Sequence, residues 1–114
     1  MKTSAHGKTE VNVLVCRGDL NAQSMVRLKS RLSRLMNQNR KRLVLDLARA
    51  KRADFSGLGI LIERLQKIRA MRGDIRVIHV QPAVSKTFDR TGISQLIESF
   101  ESKMDAIRSY RVAT

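Results

Sequence analysis

Residues 43–62, LVLDLARAKRADFSGLGILI, decide the fold of this chain. The nearly continuous apolar run at 43–47 is typical of a strand that is buried on both faces of a sheet. The second apolar run is spaced as on a helix, which predicts a helix over about 57–71. Between the two runs, DFSGLG at 54–59 supplies polar capping residues and two glycines. A buried strand followed by a helix indicates an α/β fold.

The rest of the chain continues this alternation of strands and helices. Residues 11–16 have the β-rich alternation of a strand. The apolar stripe from Met25 to Met36 predicts a helix, for which Asn21 is a good N-cap. Further strands are expected at 75–80 and 97–100, and further helices at 83–90 and 103–110. This order predicts a sheet whose strands are joined by crossover helices.

The composition supports one globular domain. The chain has 114 residues and is 42% apolar, which is enough for a single core without staples. We interpret residues 1–9 as a flexible arm and 10–110 as the domain. The single cysteine, Cys16, excludes an internal disulfide, and no apolar run reaches the length of a membrane-spanning helix. The polar start lacks the apolar stretch of a signal peptide. We therefore expect a soluble cytoplasmic protein.

The charge is strongly basic, with 23 Lys and Arg against 10 Asp and Glu. Eleven of the basic residues lie between residues 17 and 52. The basic surface is expected at Arg27, Arg31, Arg34, Arg40, Lys41 and Arg42. Such a surface is either a solvated face or a docking site for an acidic partner. Nucleic acid is possible but not favoured, because no helix-turn-helix, zinc-finger spacing or aromatic stacking platform accompanies the charge.

The residues needed for catalysis are missing from the sequence. His6 lies in the arm, and we interpret His79 as a strand residue. Cys16 is expected to be a small core residue. Metal sites and hydrolytic triads need clustered ligands or a base beside a nucleophile. We predict that the protein is not an enzyme and holds no metal or cofactor.

The segment at 54–59 admits two readings. In the first, Asp54 or Ser56 caps the helix, and Gly57 and Gly59 allow a tight turn and close packing. In the second, an exposed Ser56 accepts a phosphate at the helix N-terminus, where free N–H groups favour an anion. The added charge beside Asp54 would change a docking surface without unfolding the domain.

Several motifs together resemble the STAS domains, specifically the bacterial anti-sigma factor antagonists. The LVLDL strand and DFSGLG turn resemble the family's strand and its Asp-Ser-Ser-Gly-Leu-Gly motif. Residues 18–21, GDLN, resemble the turn that opens its first helix, and 88–93 resemble the end of its third helix. The resemblance covers about residues 11–107. It implies a single STAS-like domain, with a mixed β-sheet of about four to five strands and crossover helices.

The resemblance also implies roles for individual residues. Ser56 matches the family's phosphorylated serine, and Phe55 stands where the family has the first serine of its pair. Asp54, Asn21 and Gly57 are expected beside the phosphorylation site, with Asn21 replacing an aspartate. The implied partner-binding residues are Asp19, Asn21, Phe55, Ser56, Leu58, Ile60 and Ala83. A core-facing Phe55 is the alternative to its role as an apolar anchor.

The implied function is a non-catalytic phospho-switch in signalling and transcription regulation. The partner would be an anti-sigma factor that is also a serine kinase of the histidine-kinase-like ATPase fold, and a serine phosphatase would reverse the modification. Two alternatives remain open. One is a STAS adaptor subunit in a larger complex, without phosphorylation. The other is a binder of nucleic acid or anionic membranes through the basic surface.

Overall fold

The computed structural model describes residues 10–112 of the chain, so the proposed arm at 1–9 lies outside the described residues. Four strands alternate with four α-helices. The order along the chain is β1 (Asn12–Val15), α1 (Ala22–Asn37), β2 (Arg42–Asp46), α2 (Phe55–Ala70), β3 (Asp74–Ile78), α3 (Pro82–Thr91), a 3₁₀ turn (Ile93–Gln95), β4 (Ser99–Phe100) and α4 (Lys103–Val112). The predicted α/β alternation is confirmed.

The strands form one sheet in the order β1-β2-β3-β4. All three pairings between them are parallel. The expected mixed sheet is therefore not present within residues 10–112. The physical reason is that a helical segment connects each strand to the next. Such a crossover returns the chain to the end of the sheet at which the previous strand began, so the next strand runs parallel to it.

Both faces of the central strands are buried, as their continuous apolar runs predict. Leu43 and Leu45 of β2 face the larger core beneath α1, α2 and α3, whereas Val44 faces a smaller core on the other side. Tyr110 of α4 closes this smaller core. Its hydroxyl accepts a hydrogen bond from the Leu43 N–H at 3.2 Å, and burial raises the pKa of the phenol.

Several element boundaries differ from the sequence prediction. The last strand begins at Ser99 rather than at residue 97. The second helix begins at Phe55 rather than near residue 57, because Asp54 is its N-cap. The third strand ends at Ile78 rather than at residue 80. His79 is therefore not a strand residue. It has a φ of 57°, in the left-handed region that ends a strand.

The parallel arrangement brings three loops to the same end of the sheet, beyond the carboxyl ends of its strands. The carboxyl ends of β1, β2 and β3 lead into the loops at 16–21, 47–54 and 79–81. In open parallel sheets, binding sites form beyond the carboxyl ends of the strands.

No helix in the described part of the chain is long and apolar enough to cross a membrane.

Candidate functional site

The loops after β1 and β2 are joined by backbone hydrogen bonds. Leu20 N–H donates to the Arg52 carbonyl at 2.9 Å, and Asp54 N–H donates to the Leu20 carbonyl at 3.0 Å. The Asp19 carboxylate accepts from the N–H groups of Lys51 and Arg52 at 2.9 and 3.2 Å. The two loops therefore form one unit, which fixes the position of the α2 N-terminus.

Asn21 is the N-cap of α1, as its position in the sequence predicts. Its side-chain oxygen accepts from the Ser24 N–H at 2.9 Å, and its own N–H donates to the Ser24 hydroxyl at 3.2 Å. This reciprocal capping satisfies two N–H groups of the first turn. The Ser24 hydroxyl also donates to the Asp19 carbonyl. Asn21 therefore holds the loop that contacts the start of α2.

Asp54 and Gly57 set the start of α2. The Asp54 carboxylate accepts from the Gly57 N–H at 2.8 Å, so Asp54 rather than Ser56 is the cap. A Cβ at Gly57 would lie 2.3 Å from the Leu20 carbonyl oxygen, whereas a Cβ at Gly59 would meet nothing within 4 Å. Close packing therefore requires glycine at position 57 but not at position 59.

Ser56 is the second residue of α2, and its side chain is exposed. It is the N2 residue, in the first turn of the helix, where the backbone N–H groups have no carbonyl acceptor within the helix. A phosphate there would meet the positive end of the helix dipole and, two residues away, the Asp54 carboxylate.

The other residues expected to bind a partner differ in how far their side chains are exposed. Phe55 is 78% exposed, which contradicts the core-facing alternative for this residue. Leu58 is only 3% exposed and belongs to the larger core, so its side chain is not available to a partner. Ile60 is partly buried against the same core, and Ala83 is exposed at the start of α3.

Two grooves lie beside the loop at Arg52 and Ala53, and both residues line both grooves. One, of about 260 Å³, also contains Asp19, Asn21 and Asp54. The other, of about 320 Å³, extends to the exposed face of α3. The structure thus places Asn21 and Asp54 beside the loop at Arg52 and Ala53, and Gly57 packs against the backbone of Leu20 and Asn21.

The groove toward α3 is basic, which the sequence analysis did not anticipate. Arg52, Lys86 and Arg90 line it together with Ala83. None of these three cations forms an ion pair within residues 10–112. The spacing of four between Lys86 and Arg90 places them on one helix face and is the signal that could have identified them.

The six residues expected to form one basic surface lie on α1 and on the segment that leads from its end into β2. On α1, Arg27 and Arg34 are exposed, and the half-buried Arg31 donates to the Val15 carbonyl at 3.2 Å. The residues at 40–42 follow the end of α1 and lead into β2, and the Arg40 N–H donates to the Leu35 carbonyl at 2.9 Å. Arg34 and Arg40 therefore lie near the same end of α1, and Arg27 lies about two turns earlier on that helix. The single basic surface stays a prediction.

His79 contacts Asp46 at the carboxyl edge of the sheet, with 3.0 Å between Nδ1 and Oδ1. Partial burial opposes ionisation of Asp46. Hydrogen bonds from the Ala48 N–H and His79 and the nearby charges of His79 and Lys103 outweigh this burial, and the pKa of the carboxyl is lowered. Among the described residues, no group of three or more His, Cys, Asp or Glu could hold a metal ion.

Cys16 is 6% exposed and belongs to the larger core, as expected. Burial raises its pKa to about 11, against the opposing effect of Arg31. At neutral pH the thiol is therefore protonated and is a poor nucleophile.

Comparisons with known proteins agree with this architecture. The chain is 26% identical to the anti-sigma F factor antagonist of Paenibacillus polymyxa over 63% of the chain, and the matched segment spans 62% of that relative. It is 22% identical to BtrV of Bordetella bronchiseptica, provisionally assigned as an anti-sigma factor antagonist, over 93% of the chain and 92% of the relative.

A solved structure also resembles this fold. It is a provisionally assigned anti-sigma factor antagonist from Thermotoga maritima, with a TM-score of 0.80 and 17% identity over 87% of this chain and 86% of that chain. The family profile described as STAS domain matches residues 2–106. Because that match covers nearly the whole chain, the protein belongs to the STAS domain family and is non-catalytic.

Proposed function

We propose that this protein is a phospho-switch that binds an anti-sigma factor when Ser56 is unmodified. The observation that carries the proposal is the exposed Ser56 hydroxyl at the second position of α2. The partner would be an anti-sigma factor that is also a serine kinase of the histidine-kinase-like ATPase fold. The names of the relatives support an anti-sigma factor as the partner.

The switch consists of one phosphoryl transfer and its reversal. The kinase transfers the γ-phosphoryl group of ATP to Ser56 Oγ, which loses its proton, and ADP leaves. A serine phosphatase then hydrolyses the phosphoester with water and releases inorganic phosphate. Dependence on ATP places this exchange in the cytoplasm. All the bond-making groups belong to the two enzymes, which agrees with the non-catalytic role of this chain.

The physical effect of phosphorylation is a change of surface charge. The phosphate adds about −1.5 to −2 charges at neutral pH. The backbone bonds from Leu20 to Arg52 and Asp54 do not involve the Ser56 side chain, so the loops keep their positions. Release of the partner then follows from repulsion and desolvation at the interface rather than from unfolding.

The surface around Ser56 favours a partner with an acidic contact patch. Arg52, four residues before Ser56, lines a groove with Lys86 and Arg90, and none of these three cations forms an ion pair in the described part of the chain. Complementary charge across an interface raises the association rate and suppresses wrong partners. The exposed ring of Phe55, next to Ser56 in the chain, adds an apolar anchor for the partner.

The first test is direct mapping of phosphate on the chain. The protein is isolated from its native cells, and its peptides are examined by mass spectrometry. The proposal expects phosphate on Ser56 and its loss in Ser56→Ala. Ser30→Ala is the matched control, because Ser30 is exposed on α1. Phosphate that persists in Ser56→Ala would contradict the assignment.

The second test measures partner binding by calorimetry with the purified anti-sigma factor kinase. Ser56→Ala should bind as tightly as the unmodified chain, and Ser56→Asp should bind at least tenfold more weakly because it adds a charge. Equal affinities, together with no phosphate on Ser56, would favour the adaptor alternative, in which the serine has no switching role.

A further inference from the structure

A groove of about 340 Å³ lies at the amino ends of β2 and β3. Arg42 begins β2, Asp74 begins β3, and Arg69 lies in the last turn of α2, which leads into β3. Ser56 lies beyond the carboxyl end of β2, so this amino-end groove is at the other end of the sheet. It is therefore separate from the surface at which we propose that the anti-sigma factor binds.

The lining of the amino-end groove is strongly basic. Asp74 is its acidic residue, and four of its residues are arginines, namely Arg42, Arg69, Arg72 and Arg76. The lining side chains therefore carry an excess of three positive charges. Because the attraction between opposite charges grows with the product of the charges, an anion with several charges binds more strongly here than a monovalent anion.

Asp74 orders two of these arginines. Its carboxylate accepts from Arg69 Nε at 3.0 Å and from Arg76 Nε at 3.2 Å. Arg69 also donates through Nη2 to the Leu96 carbonyl at 2.5 Å, which leaves its Nη1 for a ligand. A guanidinium that is ordered before binding loses less conformational entropy when an anion binds.

Arg76 and Tyr110 form the buried part of the lining. The Arg76 guanidinium carbon lies 4.0 Å from the centroid of the Tyr110 ring, and its Nε lies 3.6 Å from Glu98 Oε1. Tyr110 is only 6% exposed. Arg76 therefore contributes charge to the groove, and Tyr110 offers no open ring on which a nucleobase could stack.

Arg42 and Arg72 have no counter-charge among the described residues. Neither side chain forms an ion pair or a hydrogen bond within residues 10–112. Arg42 is half-buried, so its charge is partly removed from water without an anion to compensate it. Its nitrogens are not fully enclosed, and Arg72 is exposed. Both guanidinium groups are therefore open to a ligand.

The backbone holds these two arginines beside the groove. The Asp74 N–H donates to the Lys41 carbonyl at 2.9 Å, so the start of β3 is bonded to the residue before Arg42. A Cβ at Gly73 would lie 2.3 Å from the same carbonyl oxygen, so the two segments are in direct contact. Arg72, with a φ of 68°, immediately precedes this contact. The groove is therefore formed before any anion binds.

We propose that the amino-end groove binds a small anion with several phosphate charges, such as a diphosphate group, through Arg42, Arg69 and Arg72. A guanidinium donates two parallel hydrogen bonds to phosphate oxygens, which makes arginine well suited to this ligand. Because no open aromatic ring lines the groove, it recognises the phosphates and not a base attached to them. Inorganic pyrophosphate and a nucleoside diphosphate should therefore bind with similar affinities.

The test is calorimetric titration of the folded full-length chain with inorganic pyrophosphate. At about 0.15 M salt the Debye length is about 8 Å, so attraction by distant charges is screened. Pyrophosphate should occupy one saturable site, and the affinity for ADP should lie within about threefold of it. Orthophosphate should bind at least tenfold more weakly, because it carries fewer charges and spans fewer guanidinium groups.

Two matched double variants separate the groove from the general basic charge of the protein. Arg42→Gln combined with Arg72→Gln should weaken pyrophosphate binding at least tenfold. Arg27→Gln combined with Arg34→Gln removes the same charge from exposed positions of α1 outside the groove lining and should change the affinity less than twofold. Circular dichroism and the thermal midpoint verify that each variant is folded.

A titration followed by ¹⁵N NMR locates the site on the unaltered chain and depends on no variant. Pyrophosphate should shift the amide signals of residues 72–74 in a saturable way. The amide signals of residues 54–57, at the other end of the sheet, should stay in place.

Four results would overturn the proposal. They are the absence of saturable pyrophosphate binding, equal weakening by the two double variants, ADP binding more than tenfold tighter than pyrophosphate, and amide shifts that leave residues 72–74 unaffected. None of these measurements depends on phosphorylation of Ser56, so the phospho-switch and the anion site can fail separately.

Discussion

Substitution of Gly57 tests whether the α2 N-terminus packs directly against the loop after β1. A methyl group at this position would lie 2.3 Å from the Leu20 carbonyl oxygen, 2.6 Å from its carbonyl carbon and 2.9 Å from the Asn21 carbonyl carbon. These are backbone atoms, and Leu20 is held by bonds of 2.9 and 3.0 Å to Arg52 and Asp54. The clash therefore cannot be relieved by rotating a side chain.

Two opposing effects set the size of the change. Overpacking at a close contact costs about 1–3 kcal/mol, whereas alanine is favoured over glycine within a helix by about 0.8–1 kcal/mol. Because the clash is with backbone atoms, the overpacking cost lies in the upper half of its range, at about 2–3 kcal/mol. We therefore expect Gly57→Ala to lower the free energy of unfolding by about 1–2 kcal/mol. Gly59→Ala, on the exposed side of the same helix, should raise it by about 0.5–1 kcal/mol.

Urea unfolding followed by circular dichroism measures both variants. The thermal midpoint should fall by about 5–10 °C for Gly57→Ala and rise by a few degrees for Gly59→Ala. The opposite signs of the two changes in stability test the packing argument, because both variants replace a glycine by alanine in the same helix. The packing argument is refuted if Gly57→Ala is as stable as Gly59→Ala.

Three further changes test individual interactions. Asp54→Ala should lower the free energy of unfolding by about 1 kcal/mol, and Asp54→Asn by much less, because an asparagine oxygen still caps the helix; equal losses in urea unfolding would exclude capping. Ionised Asp46 stabilises the fold above its ordinary pKa, and this contribution is lost as pH falls through its lowered pKa. Unfolding free energies measured down to acid pH should therefore decline less in Asp46→Asn, and unchanged curves would contradict this. Cys16, with a pKa of about 11, should react slowly with a disulfide reagent at neutral pH and faster as pH approaches that value; rapid labelling of the folded chain at neutral pH would contradict its burial.

Local patterns in the sequence are sufficient to predict most of the fold. The run at 43–47 predicts a strand buried on both faces, and the structure has Leu43 and Leu45 in one core and Val44 in the other. Capping by Asn21 is confirmed as well. These features depend on residues that are close in sequence, so their spacing alone carries the information.

The exposure of Phe55 at the start of α2 could not be predicted from the sequence. Phe55 is three residues before Leu58, so helical spacing places both toward a similar side. Leu58 lies in the core, whereas Phe55 is 78% exposed. The difference depends on where the helix begins relative to the sheet, and Asp54 sets that point through its bond to the Gly57 N–H.

The sequence by itself determined the alternation of strands and helices, the caps and the exposed serine at the start of a helix. Only the tertiary structure decided which loops meet. Asp19 binds the N–H groups of residues more than thirty positions later, and Arg52 shares a groove with Lys86 and Arg90. Contacts over such separations depend on the parallel order of the strands and on hydrogen bonds between irregular loops. Periodicity and spacing along one segment contain no signal for either.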